Sequence, residues 1–123
     1  MYTISEVARS IGITAHTLRY YEKEEIIVPK RNLYGERVYD DSDLAWLRFV
    51  VKLKQTQMPI MQIREYTRLY KEGEHTTKDR LKLLEDHRED IQSQMKALAA
   101  TEKMLEDKIT MYKDILSQPD VAH

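Results

Sequence analysis

Residues 14–27 read TAHTLRYYEKEEII and set two tyrosines side by side after an arginine. The spacing predicts a short helix capped by Thr14 and running to about Lys23, with Pro29 barring any continuation. Neighbouring helical positions point roughly a third of a turn apart, so one apolar face cannot bury both Tyr20 and Tyr21. At least one ring must lean towards something outside the core. Upstream, Thr3 or Ser5 can cap a first helix, Thr3 and Glu6 have the spacing of a capping box, and Ile4, Val7, Ala8 and Ile11 fall on one helical face. Gly12 ends that first helix, because a left-handed cap costs glycine little. Helix, tight turn and second helix make a helix-turn-helix.

Downstream, valine and tyrosines alternate with basic residues around Gly35 in PKRNLYGERVYD. This predicts a β-hairpin with strands at about 30–33 and 37–40. An isolated hairpin is marginal in water and must lean on the helices. Period two places Arg37 and Tyr39 on one face and Val38 on the other, with Val38 expected against the helices. Ser42 is expected to cap a third helix over about 42–56, whose stripe is Leu44, Leu47, Val50 or Val51 and Leu53, with Trp46 beside it. Pro59 suits the first turn of a fourth helix carrying Ile60, Ile63, Tyr66, Leu69 and Tyr70, and Gly73 ends it.

From Thr76 the pattern changes. Leu81, Leu84, Arg88, Ile91, Met95, Leu98, Glu102, Leu105, Ile109, Tyr112 and Leu116 recur at alternating steps of three and four. A period of 3.5 held this long predicts a coiled coil. Roughly 40 residues at 1.5 Å each give a rod of about 60 Å. A head of about 75 residues cannot cover that stripe, so a second copy is the expected partner. Arg88 and Glu102 interrupt the seam with opposite charges. In an antiparallel pair they face each other, whereas a parallel pair buries each against its own kind. The expected organisation is a head over 1–75, a dimerisation helix over 76–117 and a short tail over 118–123.

Composition bounds the function. The 123 residues are 33% charged, with a net charge of −1, three glycines and no cysteine. Thiolate metal sites, disulfides and thiol redox sensing are therefore excluded. The four histidines, His16, His75, His87 and His123, lack ligand spacing, so neither a metal nor a cofactor is expected. No apolar run approaches the roughly 18 residues of a membrane span, and MYTISEVARS does not read as a secretory signal. A bacterial or other reducing cytoplasm is the expected setting. No nucleophile with an adjacent base and no phosphate-cradling glycine loop is present, so an enzyme is not expected.

The motifs ISEVA, TLRYYE, the Pro29 spacing, the R-N-x-x-G-x-R-x-Y pattern over Arg31–Tyr39 and the following Asp43-Leu44 resemble the DNA-binding domain of the MerR family of bacterial transcription regulators. The third and fourth helices and the long rod match as well, so the resemblance covers essentially the whole chain. LRFVVKLKQTQMPIMQIREYTRLYKEGEHT is similar to the small branch that includes aldehyde-responsive members. Those carry a cysteine in the helix aligned with VVKLKQTQM, which this chain lacks, so their thiol chemistry does not carry over.

The resemblance implies a winged helix-turn-helix head with a small β-hairpin wing; with the seam read above, the expected fold is mainly α, the head followed by a long helix forming an antiparallel coiled-coil dimer. It implies that the second helix enters the major groove, that the hairpin is one wing, and that the turn between the third and fourth helices is another. It implies a homodimer on a pseudo-palindrome in a promoter spacer, activating RNA polymerase by distorting the double-stranded DNA. The expected DNA-facing residues are Thr14, His16, Thr17, Arg19, Tyr20, Tyr21, Arg31, Tyr34, Arg37 and Tyr39, with Tyr21 partly packed. Arginine reads guanine or binds phosphate, and tyrosine hydroxyls donate to phosphate oxygens. Lys52 and Lys54 are generic cations near the second wing.

Charge is a weak support. Residues 1–75 hold 12 basic and 11 acidic groups, so DNA binding must rest on placement, with Glu24 and Glu25 turned away. Trp46, Tyr66, Tyr70 and His87 are the candidate seat of an effector of unknown identity between rod and head, with simple core residues as the alternative reading of all four. The competing class is a coiled-coil adaptor whose helical head binds protein.

Overall fold

The structure is a computed structural model and describes residues 1–119. Its elements are β1 (Tyr2–Thr3), α1 (Ile4–Ile11), α2 (Ala15–Lys23), β2 (Lys30–Arg31), β3 (Arg37–Tyr39), α3 (Asp41–Gln55), α4 (Ile60–Glu72), a 3-10 turn (Glu74–Thr76) and α5 (Thr77–Ser117). The chain divides into two compact units, Met1–Leu84 and Glu85–His123. The first therefore takes in the opening turns of α5, beyond the boundary at residue 75 read from sequence. Residues 120–123 of the expected tail lie outside the described residues.

Local chemistry sets the first unit. Thr3 and Glu6 form the capping box of α1, with Glu6 N donating to Thr3 Oγ1 at 3.1 Å and Thr3 N to Glu6 Oε1 at 3.0 Å. Gly12, at φ 82°, closes the helix by donating to Ala8 O. Thr14 then caps α2, its hydroxyl accepting from Thr17 N at 3.0 Å.

Helices α2 and α3 end alike. Ile26 N donates to Tyr21 O and Glu25 N to Glu22 O; Met58 N donates to Leu53 O and Gln57 N to Lys54 O. These are Schellman closures. Both put a residue other than glycine in the left-handed region, Glu25 at φ 62° and Gln57 at φ 72°. In each, the next residue is anchored in the core, Ile26 at 1% and Met58 at 0% exposure.

That core gathers Val7 from α1, Leu18 and Tyr21 from α2, Tyr39 from β3, Leu44, Leu47, Val50 and Leu53 from α3, and Ile63 from α4, with Ile4, Ala8, Ile11 and Trp46 partly buried around it.

Three details differ from the sequence reading. The sheet has three strands in the order β1-β3-β2, with Tyr2 opposite Tyr39 and Lys30 opposite Val38. A two-residue strand directly before a helix leaves no alternation to read. Asp40 rather than Ser42 caps α3, in a capping box with Asp43, while Ser42 Oγ donates to Asp40 Oδ1. The run Asp40-Asp41-Ser42-Asp43 offers four capping side chains, and the shortest connection from β3 wins. Pro59 sits at the N-cap of α4, one position before the first turn.

The second unit is α5 from Glu85 onward. Of the apolar seam residues here, Met95, Leu98, Leu105, Ile109, Tyr112 and Leu116 each expose half or more of their surface, while Ile91 is partly buried. Arg88 and Glu102 are exposed as well. No helix among the described residues is long and apolar enough to cross a membrane.

Candidate nucleic-acid interface

Helix α2 separates its two tyrosines. Leu18 and Tyr21 are buried at 0% and 5% exposure, while Tyr20 stays 40% exposed. The two rings lie 6.0 Å apart and tilted. Burial pushes the Tyr21 hydroxyl above its ordinary pKa, with Tyr20 adding to the shift. Tyr21 is thus a core residue, more deeply packed than the sequence suggested. His16, Arg19, Tyr20 and Lys23 are exposed, at the three- and four-residue spacing of one helical face. Thr14 and Thr17 are tied to each other at the start of α2, their hydroxyls 2.9 Å apart.

The wing is built on a tight loop. Gly35, at φ 76°, donates to Asn32 O at 3.0 Å, and Asn32 N donates to Glu36 O at 3.0 Å. The Asn32 side chain accepts from Tyr34 N and Glu36 N. Arg31 stays exposed while donating from Nη1 to Gly35 O. Tyr34 is 87% exposed at the tip.

Glu22 joins the wing to α2. Arg37 Nε donates to Glu22 Oε1 at 2.6 Å and Arg31 Nη2 to Glu22 Oε2 at 3.3 Å. The carboxylate keeps the Arg37 guanidinium protonated to still higher pH than usual. Arg37 is only half-exposed, so it is at once a wing cation and a tie. No sequence motif gives Glu22 a site role. Its role as a tie was hidden, because hairpin and helix meet only in three dimensions.

Tyr39 is a correction. It is 0% exposed and part of the core, so its side chain cannot reach DNA. Arg37 and Tyr39 do share a face, but that face lies on the helices, and Val38, like Arg37, is half-exposed. A large ring gains more from burial than a valine does. The Tyr39 hydroxyl is left buried without a hydrogen-bond partner, and burial raises its pKa.

The acidic neighbours are largely engaged elsewhere. Glu24 pairs with Arg64 of α4 at 3.5 Å. Lys30 is held by Asp40 at 2.6 Å, which pulls the Asp40 carboxyl far below the usual range. In the last turn of α3, Lys52 is exposed and Lys54 Nζ donates to Met58 O in the connection to α4 at 3.4 Å.

Of the effector-site candidates, Trp46 stacks on Tyr66 and Tyr70 at 5.9 and 6.0 Å, and its indole donates to Ile26 O. A cavity of about 300 Å³ beside it is lined by Ile26, Val28, Asp43, Tyr70 and Lys71. His87 belongs to the second unit. Among the described residues no group of three or more His, Asp or Glu is arranged to hold a metal ion.

Comparison with known proteins gives a consistent picture. The family model for MerR HTH family regulatory proteins matches residues 2–69, and a second, for MerR DNA-binding regions, matches residues 44–108. An HTH-type transcriptional regulator of Haemophilus influenzae is 34% identical over 91% of this chain and 84% of its own length. The regulator AdhR of Bacillus subtilis is 40% identical over 70% of this chain, which spans 62% of AdhR. The crystal structure of HiNmlR, a regulator lacking the sensor domain and bound to promoter DNA, superposes with a TM-score of 0.85 at 34% identity, covering 92% of this chain and 90% of that one. The crystal structure of a MerR family transcriptional regulator from Listeria monocytogenes gives 0.87 at 30% identity, covering 92% and 86%.

Proposed function

Because this chain belongs to the MerR family of helix-turn-helix transcriptional regulators, we propose that it binds a promoter pseudo-palindrome as a homodimer and regulates transcription by distorting that DNA for RNA polymerase. It is a regulator and not an enzyme. The observation that carries the reading is the exposed row His16, Arg19, Tyr20 and Lys23 on α2, beside a wing tied to the same helix through Glu22. Such a row suits a helix lying in the major groove, its N-terminal residues nearest the base edges. Arg19 is the candidate guanine reader; Tyr20 and Arg31 are candidate phosphate contacts. That HiNmlR was crystallised on promoter DNA supports the assignment.

Residues 1–75 form the DNA-binding head in this reading and 76–117 the dimerisation helix. The exposed seam of α5 buries itself against a second copy, antiparallel, with Arg88 facing the partner's Glu102. A small-molecule effector, if the protein uses one, has a candidate seat in the cavity beside Trp46 and Tyr70.

Replacing Arg19 and Tyr20 by alanine tests the reading. Both are exposed, so folding and dimerisation persist while promoter binding falls at least tenfold, the scale of one lost bidentate base contact. Unchanged promoter binding by both variants would leave a coiled-coil adaptor as the better description.

A further inference from the structure

A cavity of about 300 Å³ opens between the connection after α2 and helices α3 and α4. Ile26, Ile27 and Val28 of the connection, with the rings of Trp46 and Tyr70, give it an apolar wall. That wall is held in place, because the Trp46 indole donates to Ile26 O at 2.8 Å and stacks on Tyr70 at 6.0 Å. Val28 nevertheless stays 69% exposed and Tyr70 60%, so apolar surface here is left uncovered by the fold. Ligand sites run from about 300 to 1,000 Å³, and this one suits a single small molecule.

Two opposite charges stand at the apolar wall. Asp43 is half-buried; its Oδ2 accepts from Asp40 N at 3.0 Å, while its Oδ1 accepts no hydrogen bond among the described residues. Lys71 is exposed and makes no ion pair or hydrogen bond among the described residues. Both line the cavity without pairing with each other. The hydroxyls in the lining are engaged within the fold, Ser42 donating to Asp40 Oδ1 and Thr67 to Ile63 O. Arg80, 5.5 Å from the centre of the Tyr70 ring, is not part of the lining. The charges offered to a ligand are therefore one carboxylate and one ammonium, beside an aromatic surface.

We propose that this cavity binds a free α-amino acid with a large apolar side chain. Its ammonium group pairs with Asp43, its carboxylate with Lys71, and its side chain packs against Trp46, Tyr70 and Val28. An apolar cation would be opposed by Lys71 and an apolar anion by Asp43, and such like-charge contacts are costly. A ligand carrying both charges satisfies both residues.

This names the ligand for the effector seat above, and its regulatory consequence rests on the DNA-binding reading. Ile26 anchors the cap that ends α2, and Val28 leads through Pro29 into β2 at Lys30. The seat thus lies on the covalent link between α2 and the wing. A ligand packed there shifts DNA affinity by the difference between its affinities for the free and DNA-bound proteins.

Trp46 is the single tryptophan of the chain, so its fluorescence reports the cavity directly. The test titrates the full chain, without DNA, with L-phenylalanine, L-leucine and L-methionine, and with the N-acetyl and amide forms of each. At least one of the three amino acids is expected to give a saturable change with a Kd at or below about 1 mM. Its N-acetyl and amide forms are expected to bind at least tenfold more weakly. Asp43→Asn keeps an acceptor for Asp40 N, and Lys71→Met keeps the length of the side chain. Each should lose about tenfold in affinity for the free amino acid with circular dichroism unchanged. The saturating amino acid is then expected to shift affinity for promoter DNA several-fold. No saturable binding by any of the three up to roughly 10 mM overturns the site. Equal binding of either blocked form overturns the pairing with two charges. Binding that leaves DNA affinity unchanged overturns the coupling. Because the titration contains no DNA, a failure of the DNA-binding reading is seen separately, in promoter binding, and leaves the amino-acid site standing.

Discussion

Glu22, in the last turn of α2, accepts a 2.6 Å hydrogen bond from Arg37 of β3, and the two side chains are equally shielded at 27% exposure. Arg31 shares the same carboxylate from the neighbouring strand. Helix α2 and the wing are thus connected by a side-chain tie, so that the angle between the two parts proposed to contact DNA is set before DNA arrives. Pre-setting it reduces what binding must spend on ordering.

Glu22→Gln keeps the shape and removes the charge. The wing should loosen and its arginines become available to any phosphate. Nonspecific affinity is expected to rise and the ratio of specific to nonspecific binding to fall about five- to tenfold. Competition titrations at fixed salt read the ratio, and amide exchange in residues 30–39 reads the loosening. If both stay at wild-type values, the tie does not orient the wing.

Tyr39→Phe removes a hydroxyl that is buried without a partner. An unpaired buried polar group costs about 1–3 kcal/mol, and part of that is recovered when it is deleted. The variant should be unchanged or more stable by up to about 1 kcal/mol in urea unfolding. Its DNA affinity should stay within about twofold of wild type, because the ring lies in the core. A loss of DNA affinity without loss of stability would contradict that placement.

Gln57 holds φ 72° in the turn between α3 and α4, where a side chain brings strain and no cap contact requires one. Gln57→Gly is expected to stabilise the fold by about 0.5–1 kcal/mol, the gain from relieving the left-handed conformation less the added freedom of the unfolded chain. Thermal unfolding checks it; a lowered midpoint would mean that the glutamine side chain makes a compensating contact.

Asp40 supplies the acid limb. Lys30, Ser42 and the Asp43 amide all favour its charged form, so its folded pKa lies well below the ordinary value. A depressed carboxyl stabilises the fold fully above the unfolded pKa of about 3.9, and that contribution fades as pH falls towards the folded value. Stability should therefore decline steadily below about pH 4. Asp40→Asn should be less stable at neutral pH and flatter through the acid range. Parallel wild-type and variant curves would remove Asp40 from the account.

The helical skeleton could be read from sequence wherever a single physical rule acted alone. Thr3 with Glu6, Gly12 and Thr14 marked their helix ends because capping chemistry is local. Leu18 is buried as its place in an apolar helix face implies, whereas Tyr21, expected to be only partly packed, joins it in the core. What was not legible depended on pairing at a distance. β1 exists only because β3 lies beside it, and Tyr39 turned inward because that pairing seats its strand on the core. The tie between Glu22 and the wing arginines joins residues nine and fifteen positions apart. No spacing rule connects a helix to a hairpin.

The most direct measurement is a hydroxyl-radical footprint of the wild-type chain and of Arg19→Ala on DNA upstream of its own gene. The account predicts that wild type protects two half-sites about one helical turn apart, or a multiple of it. It predicts that Arg19→Ala loses the protection while remaining a dimer. Uniform protection along the DNA by both proteins would contradict sequence-specific recognition by α2.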